Sequence, residues 1–324
     1  MTIRPATEQD LPQIMQLSKE SLGEVEGMRT IEYWRWKHIH NPFGASPVLL
    51  AFEEDTLIGL RAFMRWRFRY AGKIMEAYRA VDTATHPDHR GKGIFTRLTL
   101  TLIDQLRAGE PAIIFNTPNS KSLPGYIKMG WKTVGKTHLV TRIFPWHVVR
   151  NRLSRPAWEE KGSPVQFPED MAFILKEWMA SQQEALNTDY SPDYLRWRYQ
   201  RIPVLNYQVH VARENGAVCV IVYRRKASGR INELRLTEVF YTGDGAAQAV
   251  RKALRELADI HQPDVMTVLA DPGGRLSAML PMGFMKSERY GLTITCRKVN
   301  DDALEALALN HSLWGPSAGT LELF

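Results

Sequence analysis

The chain has 324 residues, 44% of them hydrophobic and 24% charged, and a formal net charge of +7. That length accommodates two domains of ordinary size, and that balance excludes a disordered or fibrous protein. No run of about 18 apolar residues is present, Met1–Pro5 begins no signal-peptide core, and Cys219 and Cys296 provide neither a disulfide framework nor a metal cluster. The expectation is a cytoplasmic protein with no membrane partner and no metal. Residues 1–150 hold 21 Lys and Arg against 14 Asp and Glu, whereas residues 151–324 hold 21 of each. The whole excess therefore sits in the first half, which suits capture of a polyanionic ligand. Nucleic acid is not the expected partner, because no recognition motif or basic tail accompanies the charge.

Ile3-Arg4-Pro5-Ala6 reads as a first strand. Thr7 and Asp10 are N-cap candidates for a helix burying Leu11, Ile14, Met15 and Leu17. Residues 31–38 form an aromatic-rich helical stretch that Asn41-Pro42-Phe43-Gly44 ends. Val48–Phe52 and Thr56–Met64 read as a hairpin around Glu54-Asp55. Residues 65–70 alternate strictly, with arginines on one face and aromatics on the other. The arginine face is either solvated, the favoured reading, or a basic wall beside a ligand.

Tyr78–Thr85 reads as a strand, and Leu98, Leu102, Ile103 and Leu106 recur at helical spacing. Between them lies His86-Pro87-Asp88-His89-Arg90-Gly91-Lys92-Gly93-Ile94-Phe95. A strand, a Gly-rich turn and a helix aim backbone N–H groups and the positive end of a helix dipole at one place, which suits a phosphate. Gly91 and Gly93 allow close backbone approach, and Arg90, Lys92 and Arg97 add charge. Neither a Walker A loop nor a GxGxxG fingerprint is present. Pro111–Asn116 is a short apolar strand, followed by a segment containing Asn119, Ser122, Tyr126, Gly130 and Trp131. Residues 134–144 read as the closing strands of this half.

Arg90-Gly91-Lys92-Gly93-Ile94-Phe95 resembles the pyrophosphate loop of the GCN5-related N-acetyltransferases, with Phe95 where Gly or Ala is usual. The spacing of Asn119, Ser122, Tyr126, Gly130 and Trp131 is similar to a second motif of that family, and Ile3–Leu11 is similar to its opening. The resemblance implies a mixed-sheet α/β acyl-CoA N-acyltransferase fold and acetyl-CoA as acyl donor. It implies that residues 91–95 hold the pyrophosphate with Arg90, that Thr83, Ala84 and Thr85 seat the pantetheine with Asn119 and Ser122, and that Tyr126 protonates the departing thiolate. Asp82 is the candidate general base. Glu76, the C-terminal carboxylate of Phe324 and water are alternatives. His86 and His89 are read as loop residues, since no third metal ligand accompanies them.

Residues 151–170 are Pro-rich and polar and read as a linker or crossover. The pattern then returns. Tyr194–Tyr199 echoes Tyr33–His38, Val209–Val218 echoes the hairpin near Leu50, and Pro281-Met282-Gly283-Phe284 echoes Lys128-Met129-Gly130-Trp131. The offset runs from 161 to 153 residues, which suggests a duplicated domain. Thr237–Ala247 replaces the phosphate loop, Met279 stands for Tyr126 and Pro272 for Asn119. The expected organisation is a catalytic domain over 1–150, a linker over 151–185 and a degenerate domain of the same fold over 186–324, with an apolar tail, Trp314–Phe324, docked on the body. The expected activity is acetyl transfer to a small-molecule amine such as an amino sugar or nucleotide sugar. The rivals are an aminoacyl-tRNA-dependent transferase of related tandem fold and a sensor that binds acyl-CoA without turnover.

Overall fold

The computed structural model describes residues 1–23, 28–154, 158, 165–229 and 231–321. The first half runs β1 (Thr2–Pro5), α1 (Leu11–Leu22), α2 (Ile31–Trp34), β2 (Val48–Glu53), β3 (Thr56–Tyr70), β4 (Lys73–Thr85), α3 (Ile94–Leu106), β5 (Ala112–Asn116), α4 (Leu123–Lys128) and β6 (Lys132–Ile143). Two helices follow, α5 (Pro145–Ser154) and α6 (Met171–Ser181), then the two-residue strand β7 (Asn187–Thr188). The remainder is α7 (Pro192–Leu195), β8 (Gln208–Glu214), β9 (Ala217–Ser228), β10 (Ile231–Thr242), α8 (Ala246–His261), β11 (Val265–Ala270), β12 (Met285–Lys298) and α9 (Asp302–Ala308). The order β2-β3-β4-α3-β5-β6 thus recurs as β8-β9-β10-α8-β11-β12. Both α2 and α7 run into a single π-helical turn, Arg35–Ile39 and Arg196–Gln200. No helix among the described residues is long and apolar enough to cross a membrane.

All main strands join one mixed sheet in the order β1-β2-β3-β4-β5-β12-β6-β11-β10-β9-β8, with β7 against β3. The hairpin strand expected to end at Met64 continues to Tyr70, because Trp66 and Phe68 on its apolar face are fully buried. The larger departure is at the centre. Residues 134–144 were expected to close the first half on itself. Instead β6 pairs antiparallel with β11 and β12, and β12 fills the place beside β5. Each half donates its last strand to the other, so one edge of β5 and one edge of β11 are satisfied only across the halves.

A second contact repeats this reciprocity. Trp36 and Trp197 stack with ring centroids 4.9 Å apart. Trp36 Nε1 donates to the Trp197 carbonyl at 2.7 Å, and Trp197 Nε1 donates to the Trp36 carbonyl at 2.8 Å. Both side chains are buried, so each carbonyl depends on the other's indole. The tail is docked as expected: Trp314, Ala318, Thr320 and Leu321 are buried, and Arg79 of β4 donates to the Thr320 and Leu321 carbonyls at 3.1 and 2.6 Å. Phe324 lies outside the described residues.

A chain cut at residue 150 leaves β5 and β6 as unsatisfied apolar edges. Residues 1–150 and 151–324 expressed apart should aggregate or show no cooperative unfolding by circular dichroism. Co-expression should recover one folded species on size exclusion. Trp36→Phe should lower stability by about 1–3 kcal/mol in urea titration, since it strands a buried carbonyl.

Candidate active site

The Gly-rich turn takes the form its sequence demands. β4 ends at Thr85, a short turn spans Pro87–His89, and α3 begins at Ile94. Gly91 and Gly93 have φ of 76° and 75°, where a side chain is strained, yet a Cβ at either would meet nothing within 4 Å. Backbone conformation, not crowding, therefore requires glycine, and the space above the loop stays open. Gly93 caps α3 with no side-chain hydrogen bond, so the first N–H groups of that helix have no side-chain acceptor. Gly59 of β3 sets the helix close to the sheet, since a Cβ there would lie 2.5 Å from Ile94 Cγ2. Arg90 is tied back, donating to the Ser21 carbonyl at 2.9 Å, and Lys92 Nζ lies 3.4 Å from His89 Nδ1. The loop is exposed on the open side, with Phe95 half-buried behind it, edge-on to Tyr126 at 5.5 Å.

The strands beside this loop part. β4 pairs parallel with β5 only from Glu76 to Arg79, opposite Ala112 to Phe115. Beyond Arg79, β4 runs on through Thr83, Ala84 and Thr85 while β5 stops, which opens a V at the foot of the loop. Across β3 the register shifts between Arg61 and Ala62, whose partners are Thr83 and Val81. Asp82 is the extra residue of this bulge, with φ of 39°. A non-glycine residue held in the left-handed region stores strain that its surroundings must hold in place.

They do so by charge. Asp82 Oδ2 takes Lys37 Nζ at 2.9 Å and His38 Nε2 at 2.8 Å, and His38 Nδ1 lies 2.9 Å from Ser46 Oγ. Burial alone would raise the Asp82 pKa, but Lys37 and His38 overrule it and hold the carboxyl well below the usual carboxylate range. A carboxylate so stabilised is held ionised. Its free side borders a cavity of about 190 Å³, whose walls include Met15, Tyr33, Trp34, Leu60, Thr83 and Ala84. The π-helical turn puts Lys37 and His38 in place, and neither residue stood out in the sequence.

Glu76 is likewise ion-paired. It is held by Arg67 at 2.7 Å and Arg65 at 3.9 Å, while Arg69 pairs with Asp189 at 2.8 Å. The arginine face, expected to be solvated, is thus an ion-paired surface. Asn119 spends its side-chain oxygen on the N–H groups of Lys121 and Ser122, at 3.0 and 2.9 Å, and so starts α4. Its Nδ2 remains for a ligand. Ser122 Oγ bonds the Asn119 carbonyl at 3.4 Å. Tyr126 on α4 is buried, and its hydroxyl accepts from Arg61 Nη1 at 3.0 Å. Arg61 was not singled out, although it is the one charge within the apolar run Leu57–Met64. His86 and His89 are engaged within the loop and with Glu20 and Glu53. Among the described residues no group of three or more His, Cys, Asp or Glu could hold a metal ion.

The second half has the same frame with different contents. β10 pairs with β11 only from Glu233 to Leu236, and the β9–β10 register shifts there, leaving Thr237 as the extra residue. Glu238 beside it is buried and bonded by the hydroxyls of Tyr190 and Ser317, each at 2.8 Å, and of Tyr199. Arg198 donates to the Gly319 carbonyl at 3.3 Å. The tail thus lies on the face where the first half keeps its cavity. Burial pushes the Glu238 carboxyl up to about 7 against those hydrogen bonds.

Residues 2–134 match the family model of the acetyltransferase (GNAT) domain. The chain is similar in fold to a GCN5-related N-acetyltransferase from Anabaena variabilis, at 14% identity and TM-score 0.65, over 92% of this chain and 73% of that one. It is also similar to a GCN5-related N-acetyltransferase from Kribbella flavida, at 14% identity and TM-score 0.62, over 91% and 71%. No curated protein matches. Residues 2–134 are thus similar to the acetyltransferase (GNAT) domain, and the chain as a whole has the mixed-sheet fold of those neighbours.

Asp82→Asn should destabilise the protein by about 2 kcal/mol, less than a fully buried pair because the carboxylate is a third exposed. The contribution of Asp82 is complete above its ordinary pKa near 4 and is lost as pH falls toward its depressed folded value. Acid unfolding of the variant should therefore be flatter than wild type below about pH 4. Glu238 has the opposite sign. Its folded pKa is raised, so stability should decline as pH climbs from about 4.5 through 7, and Glu238→Gln should remove that decline in urea titrations at pH 5 and 8.

Proposed function

We propose that this chain is an acetyl-CoA-dependent N-acetyltransferase with one active site in its first half. The observation that carries this reading is convergence. The parted ends of β4 and β5, the two left-handed glycines and the uncapped start of α3 meet beside a small cavity with a fixed carboxylate. Backbone N–H groups of residues 91–95 would hold the pyrophosphate, with Lys92 adding charge. Thr83, Ala84 and Thr85 on one side, and Asn119 Nδ2 with Ser122 on the other, would seat the pantetheine in the V. Such a carrier brings a thioester to the end of the V, where an amine can attack it.

The acceptor would sit in the cavity beside Asp82. Both described bonds of that carboxylate fall on Oδ2, which leaves Oδ1 to receive an ammonium or amine N–H. The amine would lose its proton to water, since Asp82 resists protonation. Met15, Tyr33, Trp34 and Leu60 surround an apolar body. Among the described residues that line the cavity, the two cations are engaged, Lys37 with Asp82 and Arg29 with the Ser18 carbonyl, which disfavours a nucleotide-sugar diphosphate. A compact amine with an apolar body therefore fits better than an amino sugar or nucleotide sugar. The second half is read as a non-catalytic domain of the same fold. Its repeated element order supports this, and its tail lies where an acceptor would go. The Gly-rich loop argues against aminoacyl transfer from tRNA, which needs no pyrophosphate site, and against that rival the reading stands or falls on acetyl-CoA.

Calorimetry on the full chain should show one acetyl-CoA site. Gly93→Val should weaken it at least about tenfold, because a β-branched residue resists φ near 75° and displaces the amides. Tyr126→Phe should keep affinity but lower turnover about 10²–10⁴-fold on an amine panel monitored by thiol release. Absence of acetyl-CoA binding by folded full-length protein overturns the reading.

A further inference from the structure

Arg61 is fully buried on β3, one step from the Asp82 bulge. Its guanidinium lies over the rings of Phe63 at 4.6 Å, Tyr126 at 5.4 Å and Phe95 at 5.5 Å. Among the described residues it has no carboxylate partner. Its one described hydrogen bond runs from Nη1 to the Tyr126 hydroxyl at 3.0 Å, and its buried Nε and Nη2 have no partner. Taking a guanidinium out of water costs several kcal/mol that an ion pair normally offsets. Three aromatic faces recover only part of that. The residue is thus kept at a cost to stability, and what it touches is the hydroxyl assigned to the leaving group.

We infer that Arg61 is a positioning residue for acyl transfer, fixing the Tyr126 hydroxyl with its proton free and holding the phenolate that forms when that proton leaves. This rests on the acetyl-transfer reading above. A hydroxyl oxygen that accepts from Arg61 must turn its own hydrogen elsewhere, and no described hydrogen bond uses that hydrogen. In the reaction the amine nitrogen bonds the acetyl carbon and the carbon–sulfur bond breaks, with its electron pair going to sulfur. Tyr126 gives sulfur its proton and becomes a phenolate beside the guanidinium. The nitrogen releases its extra proton to water, and the phenolate regains one from water, so charge and protons balance. The cation makes the middle of this sequence affordable because it faces the charge where it develops.

The test compares Arg61→Met, Arg61→Lys, Tyr126→Phe and the Met/Phe double variant in the full-length protein. Arg61→Met replaces an unpaired cation by an apolar chain of similar length, so its melting temperature should equal or exceed wild type. Calorimetric affinity for acetyl-CoA should stay within about threefold, while kcat with the best amine of the panel falls about 10²-fold. The double variant should be no slower than Tyr126→Phe, as expected for groups acting as one unit. An activated aryl thioacetate, whose thiolate leaves without a proton, should lose less than about fivefold in Arg61→Met. Arg61→Lys should recover part of the loss with acetyl-CoA. A lower melting temperature with kcat unchanged, additive losses, or equal losses with both donors would each overturn the assignment. Wild type that fails to bind acetyl-CoA would instead defeat the acetyl-transfer reading on which it rests.

Discussion

The exchange of closing strands is the constraint on which everything else depends. β5 is a short buried strand, parallel to β4 on one side, and its other edge is satisfied by β12 from the far end of the chain. β11 is placed in the same way by β6. Neither β5 nor β11 is paired on both edges until both halves are made, and the reciprocal Trp36 and Trp197 bonds tie the halves in the same fashion. Cooperativity across the halves follows from backbone hydrogen bonding, because an apolar strand with an open edge has no stable alternative in water.

That frame also fixes where a ligand can enter. β5 ends at Asn116 while β4 continues to Thr85, so the sheet opens where the Gly-rich turn begins. The bulge at Asp82 then turns a carboxylate toward the cavity below. Lys37 and His38 hold it there from a helix whose π turn supplies an extra residue. The strain at Asp82 and the burial of its partners have one purpose, a fixed negative charge that stays ionised. Under the proposed function Asp82 would anchor an amine and leave proton removal to water.

The two halves show how one frame is used or filled. In the first, the parted strands face open space above Gly91 and Gly93. In the second, the corresponding bulge falls at Thr237, Glu238 is bonded by Tyr190, Tyr199 and Ser317, and the tail crosses the face. Arg198 occupies the place of Lys37 in its π turn but serves the Gly319 carbonyl of the tail.

The sequence by itself determined what is local. The phosphate-type turn, the strand before it and the helix after it were legible because glycine φ, helix dipole and apolar spacing act within about ten residues. Tyr126 and Asn119 were legible as a spaced motif, and the recurring element order was legible as an offset near 160 residues. Only the tertiary structure decided which strand closes which half, since β5 and β6 carry the same apolar character whether paired to a near or a far partner. It alone gave Asp82 its cations and set Arg61 against Tyr126. Those outcomes depend on side chains 44 and 65 residues apart meeting in a dry interior, where burial strengthens charge and leaves an unpaired donor without water.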